Sequence, residues 1–148
     1  MHADADAADA QDLAERSARA MWDADQASRG LGMALVSVAP GEAVMTMTVG
    51  DAMVNGHGIC HGGYMFLLAD STFAFACNSR NERTVAAHCD ISFVKAARLG
   101  DVLTARGREV WREGRNGIYD MVVTDHNGQT VALFRGRSRT IGGPVIGG

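Results

Sequence analysis

His61-Gly62-Gly63-Tyr64-Met65-Phe66-Leu67-Leu68-Ala69-Asp70-Ser71-Thr72-Phe73-Ala74-Phe75-Ala76-Cys77 is the stretch that decides the architecture of this chain. From Tyr64 to Cys77 the only charged residue is Asp70, and the apolar positions leave no wide polar stripe. A helix that is apolar all round is a buried helix. Two glycines lead into it, preceded by the loop Asn55-Gly56-His57-Gly58-Ile59-Cys60. The first N–H groups of a helix have no partner inside it, so a glycine-rich entry makes an electropositive backbone site. A carboxylate two turns further on, among apolar side chains, is costly to bury. The two features point to one place that polarises a carbonyl and another that supplies a base or nucleophile.

Outward from this helix the chain reads as strands. Ala43, Met45, Met47 and Val49 alternate with Val44, Thr46 and Thr48, and a strand at 31–38 joins this one through Pro40-Gly41. Such alternation marks half-buried strands. Val85, Ala87, Cys89, Ile91 and Phe93 repeat the pattern after the helix. Further strands are expected at 102–112, 118–125 and 130–140, separated by the hairpin signals Glu113-Gly114-Arg115-Asn116 and His126-Asn127-Gly128. Ahead of them, residues 1–9 are Ala/Asp-rich and expected to fray, and 10–28 has helical spacing, closed by Gly30. Hairpin-linked strands make an antiparallel sheet, and the simplest home for the apolar helix is inside that sheet's curl. This is an α+β hotdog fold: a helical extension at 1–29, the hotdog domain at 30–143 and a tail at 144–148.

With 148 residues and 47% apolar content the chain suffices for one core without disulfides or metals. Three cysteines, Cys60, Cys77 and Cys89, have no short paired spacing. With no signal peptide, they are expected to be reduced thiols of a cytoplasmic protein. No apolar run has the length of a membrane span. The net charge of −3 divides into −7 before Arg80 and +4 from Arg80 onward. Overall acidity disfavours nucleic acid, while the basic second half suits an anionic ligand. His57-x-x-Cys60-His61 supplies only part of a metal set, and His88-Cys89 point to opposite faces of a strand. No metal site is expected.

Asn55-Gly56-His57-Gly58, His61-Gly62-Gly63, Leu68-Ala69-Asp70-Ser71, Ala76-Cys77-Asn78-Ser79 and Val131-Ala132-Leu133-Phe134-Arg135-Gly136 resemble, in order and spacing, the phenylacetate-degradation (PaaI-type) hotdog thioesterases. The likeness runs from Arg29 to Gly143. It implies hydrolysis of acyl-coenzyme A thioesters, often aryl-acetyl ones, by tetramers built from dimers. Coenzyme A is then part of the substrate and no separate cofactor is needed. By the same analogy Asp70 is the nucleophile or general base, and the Gly62 N–H is the oxyanion donor. Asn55 and His61 line the site, and Gly63 and Ser71 are expected beside the substrate. Arg135 and Arg137, on one face of the last strand, are candidates for the coenzyme A phosphates. Tyr64, Phe66, Phe73 and Phe75 make an aromatic acyl pocket plausible. A non-catalytic acyl-CoA-binding module is the alternative; a hydratase is disfavoured because no Asp-x-x-x-x-His pattern opens the helix.

Distance adds a demand on assembly. Gly62 and Asp70 are eight residues apart, which is ~12 Å along a helix at 1.5 Å per residue. One carbonyl cannot meet both in one chain. The donor and the acid are therefore expected from different subunits of a two-fold homodimer, which has two equivalent shared sites.

Overall fold

The computed structural model describes residues 2–147. Its elements are α1 (His2–Ala24), α2 (Gln26–Gly30), β1 (Ala34–Ala39), β2 (Glu42–Thr48), a 3-10 turn (Asp51–Met53), α3 (Gly62–Cys77), β3 (Thr84–Phe93), β4 (Val102–Glu113), β5 (Asn116–Thr124) and β6 (Thr130–Thr140). The strands form one antiparallel sheet in the order β1-β2-β4-β5-β6-β3. It curls around α3, whose Leu68, Ala69, Phe73, Phe75 and Ala76 are buried against Met45, Met47, Leu103, Tyr119, Met121 and Phe134. The curl requires a side chain to be missing from β6. A Cβ at Gly136 would lie 2.5 Å from Phe73 Cε2, so glycine there lets the aromatic ring press onto the strand backbone.

The N-terminal expectations need two corrections. Residues 2–9 are helical rather than frayed, because alanine has the highest helix propensity and Asp4 in the first turn complements the helix dipole. The helix expected over 10–28 is also interrupted at Asp25. That carboxylate accepts from the Ser28 N–H (2.9 Å) and the Ser28 hydroxyl (2.6 Å), capping α2 and turning the chain. Trp22 packs on Phe75, with ring centroids 6.3 Å apart, which ties α1 to the core. The closing residues are held as well: Asn81 Oδ1 accepts from the Val145 N–H (2.9 Å) and the Ile146 N–H (2.8 Å).

A bulge in β3 changes the reading of its alternation. Register shifts between Ala86 and His88, so Val85 faces outward opposite Arg139 while Cys89, Ile91 and Phe93 face inward opposite Gly136, Phe134 and Ala132. One extra residue flips every side chain on one side of it. On the outer face Glu42, Arg108, Asp120, Arg135 and Asp90 stand side by side, one from each of five strands, in alternating charge.

Candidate active site

The loop ahead of α3 is built by Asn55. Its Oδ1 accepts from the His57 N–H (2.9 Å) and the Ile59 N–H (3.2 Å), and its backbone bonds Ile59 and Gly58 across the turn. Asn55 is thus a loop organiser whose side-chain NH2 remains available. His61 is the N-cap of α3, and its Nδ1 accepts from the Gly63 N–H at 3.0 Å. Its own N–H donates to Met53 O (2.7 Å), and its carbonyl accepts from the Tyr64 N–H (3.0 Å). The Gly62 N–H alone in this first turn has no acceptor among the described residues. An open donor at a helix N-terminus is the electrostatic element an oxyanion requires.

This bonding corrects the expectation for Gly63, whose N–H is taken by His61 and is not offered to a substrate. Ser71 is also placed elsewhere. Its hydroxyl meets Ser28 Oγ at 2.7 Å, buried on the side of α3 turned toward α2, where it extends the Asp25 cap. Residues 70 and 71 are adjacent, yet ~100° of helix rotation separates their side chains.

Asp70 lies on the other side. The residues of α3 not fully buried include Gly63, Phe66, Leu67, Asp70 and Ala74, a stripe at three- and four-residue spacing. From β3 the Cys89 thiol donates to Asp70 Oδ1 over 3.9 Å. Burial holds the Asp70 carboxyl above its usual range, and the thiol contact pulls weakly the other way. Burial and the neighbouring Asp70 push Cys89 up to about 11, so it stays a thiol at neutral pH. A half-buried carboxylate with raised basicity is suited to act as a base.

The Gly62 end opens into a cleft of ≈ 600 Å³ whose walls include His61, Gly62, Met65, Phe93 and Lys95. A cleft of ≈ 640 Å³ between α1 and β1 holds none of the site residues. Of the expected aromatic wall, Phe73 and Phe75 are core residues, packed on Tyr119 and Trp22. Phe66 stacks edge-on with Phe134, 5.4 Å between centroids. Tyr64 packs edge-on against the His61 ring, 6.4 Å between centroids, and the cleft itself is reached by Phe93, read in the sequence only as the end of an alternating strand. The signal was its position as the last inward residue of β3, where the chain passes the helix start.

Arg135, Arg137 and Arg139 all project from the outer face of β6, as their alternation requires. Arg135 is engaged by Asp120, Nε to Oδ1 at 2.6 Å and Nη2 to Oδ2 at 2.8 Å, which holds the Asp120 carboxyl below its usual range. Arg139 reaches Asn116 at 3.4 Å. Arg137 carries no ion pair among the described residues. As a phosphate ligand Arg135 is compromised and Arg137 is not.

Residues 57–132 match the family model described as "Thioesterase superfamily". The chain is 43% identical over 132 residues to the acyl-coenzyme A thioesterase PaaI of Escherichia coli, covering 89% of this chain and 94% of that protein. The solved E. coli PaaI structure superposes with a TM-score of 0.89 at 42% identity, over 90% of this chain and 97% of that one. A Streptococcus mutans protein solved with acetyl CoA superposes at 0.73 with 29% identity, over 76% and 90% of the two chains. The chain belongs to the thioesterase superfamily and has its hotdog fold. It is a thioester hydrolase of the PaaI type. Among the described residues no helix is long and apolar enough to cross a membrane.

Proposed function

We propose that this protein hydrolyses aryl-acetyl coenzyme A thioesters, phenylacetyl or hydroxyphenylacetyl among them, to the free acid and coenzyme A. The observation that carries the reading is the pairing of a free Gly62 N–H with a half-buried Asp70 on the same rigid helix. The PaaI relative of E. coli and the acetyl CoA in the S. mutans structure support the substrate class. In the reaction the thioester carbonyl oxygen accepts from Gly62 N–H, which stabilises charge as the tetrahedral intermediate forms. Asp70 either attacks the carbonyl carbon or takes a proton from the attacking water. The carbon–sulfur bond breaks and sulfur leaves as the coenzyme A thiolate. Where Asp70 has attacked, water then hydrolyses the mixed anhydride to the free acid and regenerates the carboxylate, and in either course the proton from water passes to the thiolate or to solvent. His61 and the Asn55 amide orient the loop and the carbonyl. Arg137, beside a strand edge and without an ion pair among the described residues, receives phosphate oxygens.

The ~12 Å between residues 62 and 70 requires two chains for one site. The midpoint of that span is residue 66, and Phe66 and Leu67 are the half-open apolar side chains found there. A two-fold axis through this point sets Gly62 of each protomer beside Asp70 of its partner, with the β3 edges paired alongside. Dimers associate further into tetramers through the outer sheet face, where Val122 and Leu133 are exposed. Three unpaired cysteines among the described residues accord with a cytoplasmic setting.

The test is a mixed dimer. Asp70→Asn removes the acid and Gly62→Pro removes the donor, so each parent is nearly inactive in a thiol-release assay with phenylacetyl-CoA. A mixed dimer contains one site with both lesions and one intact site. Random equal mixing therefore restores about a quarter of wild-type turnover. Mixed dimers verified by mass that stay at parental activity exclude the shared site.

A further inference from the structure

Phe93 occupies the space a side chain at position 62 would need. A Cβ built on Gly62 would lie 2.8, 3.0 and 3.2 Å from its Cζ, Cε1 and Cε2 atoms. The ring's outer end therefore rests on the glycine whose N–H is the open donor of α3. Yet the ring is not a core residue: 53% of Phe93 is exposed. It stands at the end of edge strand β3, fixed there by pairing with Ala132 and by the Val94 N–H donating to Val131 O at 3.0 Å. Its free surface forms part of the wall of the ≈ 600 Å³ cleft, together with Met65 and the aliphatic part of Ile59. A large aromatic side chain left half in water beside an unpartnered donor leaves apolar area uncovered on the wall of the cleft. A substrate whose carbonyl reaches Gly62 must pass along this ring.

We infer that Phe93 is the specificity-determining residue for the acyl group: its ring packs against a flat aromatic ring carried one or two carbons from the thioester carbonyl. The inference rests on the proposed oxyanion role of Gly62 and deepens it. Aromatic pairs prefer offset or edge-to-face contact at 4.5–7 Å between centroids, a spacing that a phenyl group one methylene from a carbonyl at Gly62 can reach. A linear acyl chain of similar length, such as hexanoyl, gains area burial against the ring but not the directional ring–ring term. A short acyl group such as acetyl barely meets it. Phe93 contacts substrate without exchanging a proton or an electron pair, so its effect falls on binding in both ground and transition states.

The experiment measures kcat and KM of wild type, Phe93→Leu, Phe93→Ala and Phe93→Tyr on phenylacetyl-CoA, hexanoyl-CoA and acetyl-CoA. Circular dichroism and size-exclusion chromatography check that each variant keeps its fold and assembly. The expected result is a fall of about tenfold in the phenylacetyl-to-hexanoyl ratio of kcat/KM for the leucine and alanine variants, carried by KM. Acetyl-CoA turnover changes by less than about threefold, and Phe93→Tyr keeps the wild-type ratio because it keeps the ring. An unchanged ratio in Phe93→Leu overturns the inference, and so does an equal loss of kcat on all three esters, which marks a ring that merely shapes the donor. Should the leucine and alanine variants misfold, Phe93→Met replaces them: a lowered phenylacetyl-to-hexanoyl ratio in it, with the ratio kept in Phe93→Tyr, supports the inference, and an unchanged ratio in Phe93→Met overturns it. Failure of the underlying reading looks different. It appears as wild-type turnover in Asp70→Asn, or as no thiol release by the wild type from any of the three esters.

Discussion

The two edges of the sheet are built to opposite ends. β1 has six residues, is bulged next to Val36 and lies under α1, from which Gln11 Nε2 donates to Val38 O at 2.8 Å. β3 has ten residues, and of these only Thr84 is fully buried. No element covers its free side among the described residues. Both edges carry a bulge, so length and cover make the difference: a short, covered edge is protected from pairing with another chain, whereas a long bare one invites it. The bare edge is also the one next to the open stripe of α3, and it carries Cys89, Ile91 and Phe93 against that stripe. The contrast supports the proposal that a second copy of the chain pairs along β3.

Breaking the difference between the edges has the largest expected effect. Ile91→Asp sets a charge on the inner side of β3, against the half-open apolar surface. The expected outcome is a monomer by light scattering and a loss of turnover of about 100-fold or more, with circular dichroism showing whether the fold persists. Val36→Asp on the other edge should leave assembly intact and turnover within about twofold. Equal effects at the two edges would show that β3 is not the pairing edge.

A smaller effect concerns the acid itself. The native Asp70 carboxyl is raised by burial, so the folded protein holds this proton more tightly than the unfolded chain does. Stability is then lost, not gained, as pH rises through the native value. Asp70→Asn, inactive, should melt higher than wild type at pH 7 by a degree or two, on the order expected for a small stability change in a domain of this size. The advantage should shrink on acidification and vanish below the unfolded carboxyl value of about 3.9. Melting curves at several pH values check the sign. A variant less stable than wild type at pH 7 would mean that Asp70 stabilises the fold. In activity the same shift places the acid limb of kcat/KM above the ordinary carboxylate range.

The smallest effect distinguishes two arginines on the face beside β3. Arg137→Met should raise KM for full-length coenzyme A esters by about threefold to fivefold, with little change on pantetheine esters that lack the phosphates. Arg135→Met should do less, because Asp120 already occupies its guanidinium. The reverse order would assign the phosphates to the charge row instead.

Much of this was legible without coordinates because it depends on short-range repetition. The apolar run after Gly63 specifies a buried helix, and the alternations and turn dipeptides specify six strands whose ends the structure moves by only a few residues. Asp70 was conspicuous because an acid in such a run is costly wherever the helix lies. The eight-residue offset from Gly62 converts to a distance once a helix is granted, and so the expectation of two chains for one site comes from the chain alone. Other features depended on partners distant in sequence. That β3 lies at the edge beside β6, and not beside β2, is a matter of pairing across about fifty residues. Its bulge, which turns Val85 outward, leaves no trace in the alternation. Which N–H stays open was decided by the rotamer of His61, which takes Gly63 and leaves Gly62. Ser71 was drawn to Ser28, Arg135 to Asp120, and Phe93 into the space beside Gly62, each by a neighbour that only the fold brings near. Periodicity determines which face of an element is apolar, while hydrogen bonds and ring contacts depend on what the fold sets opposite that face.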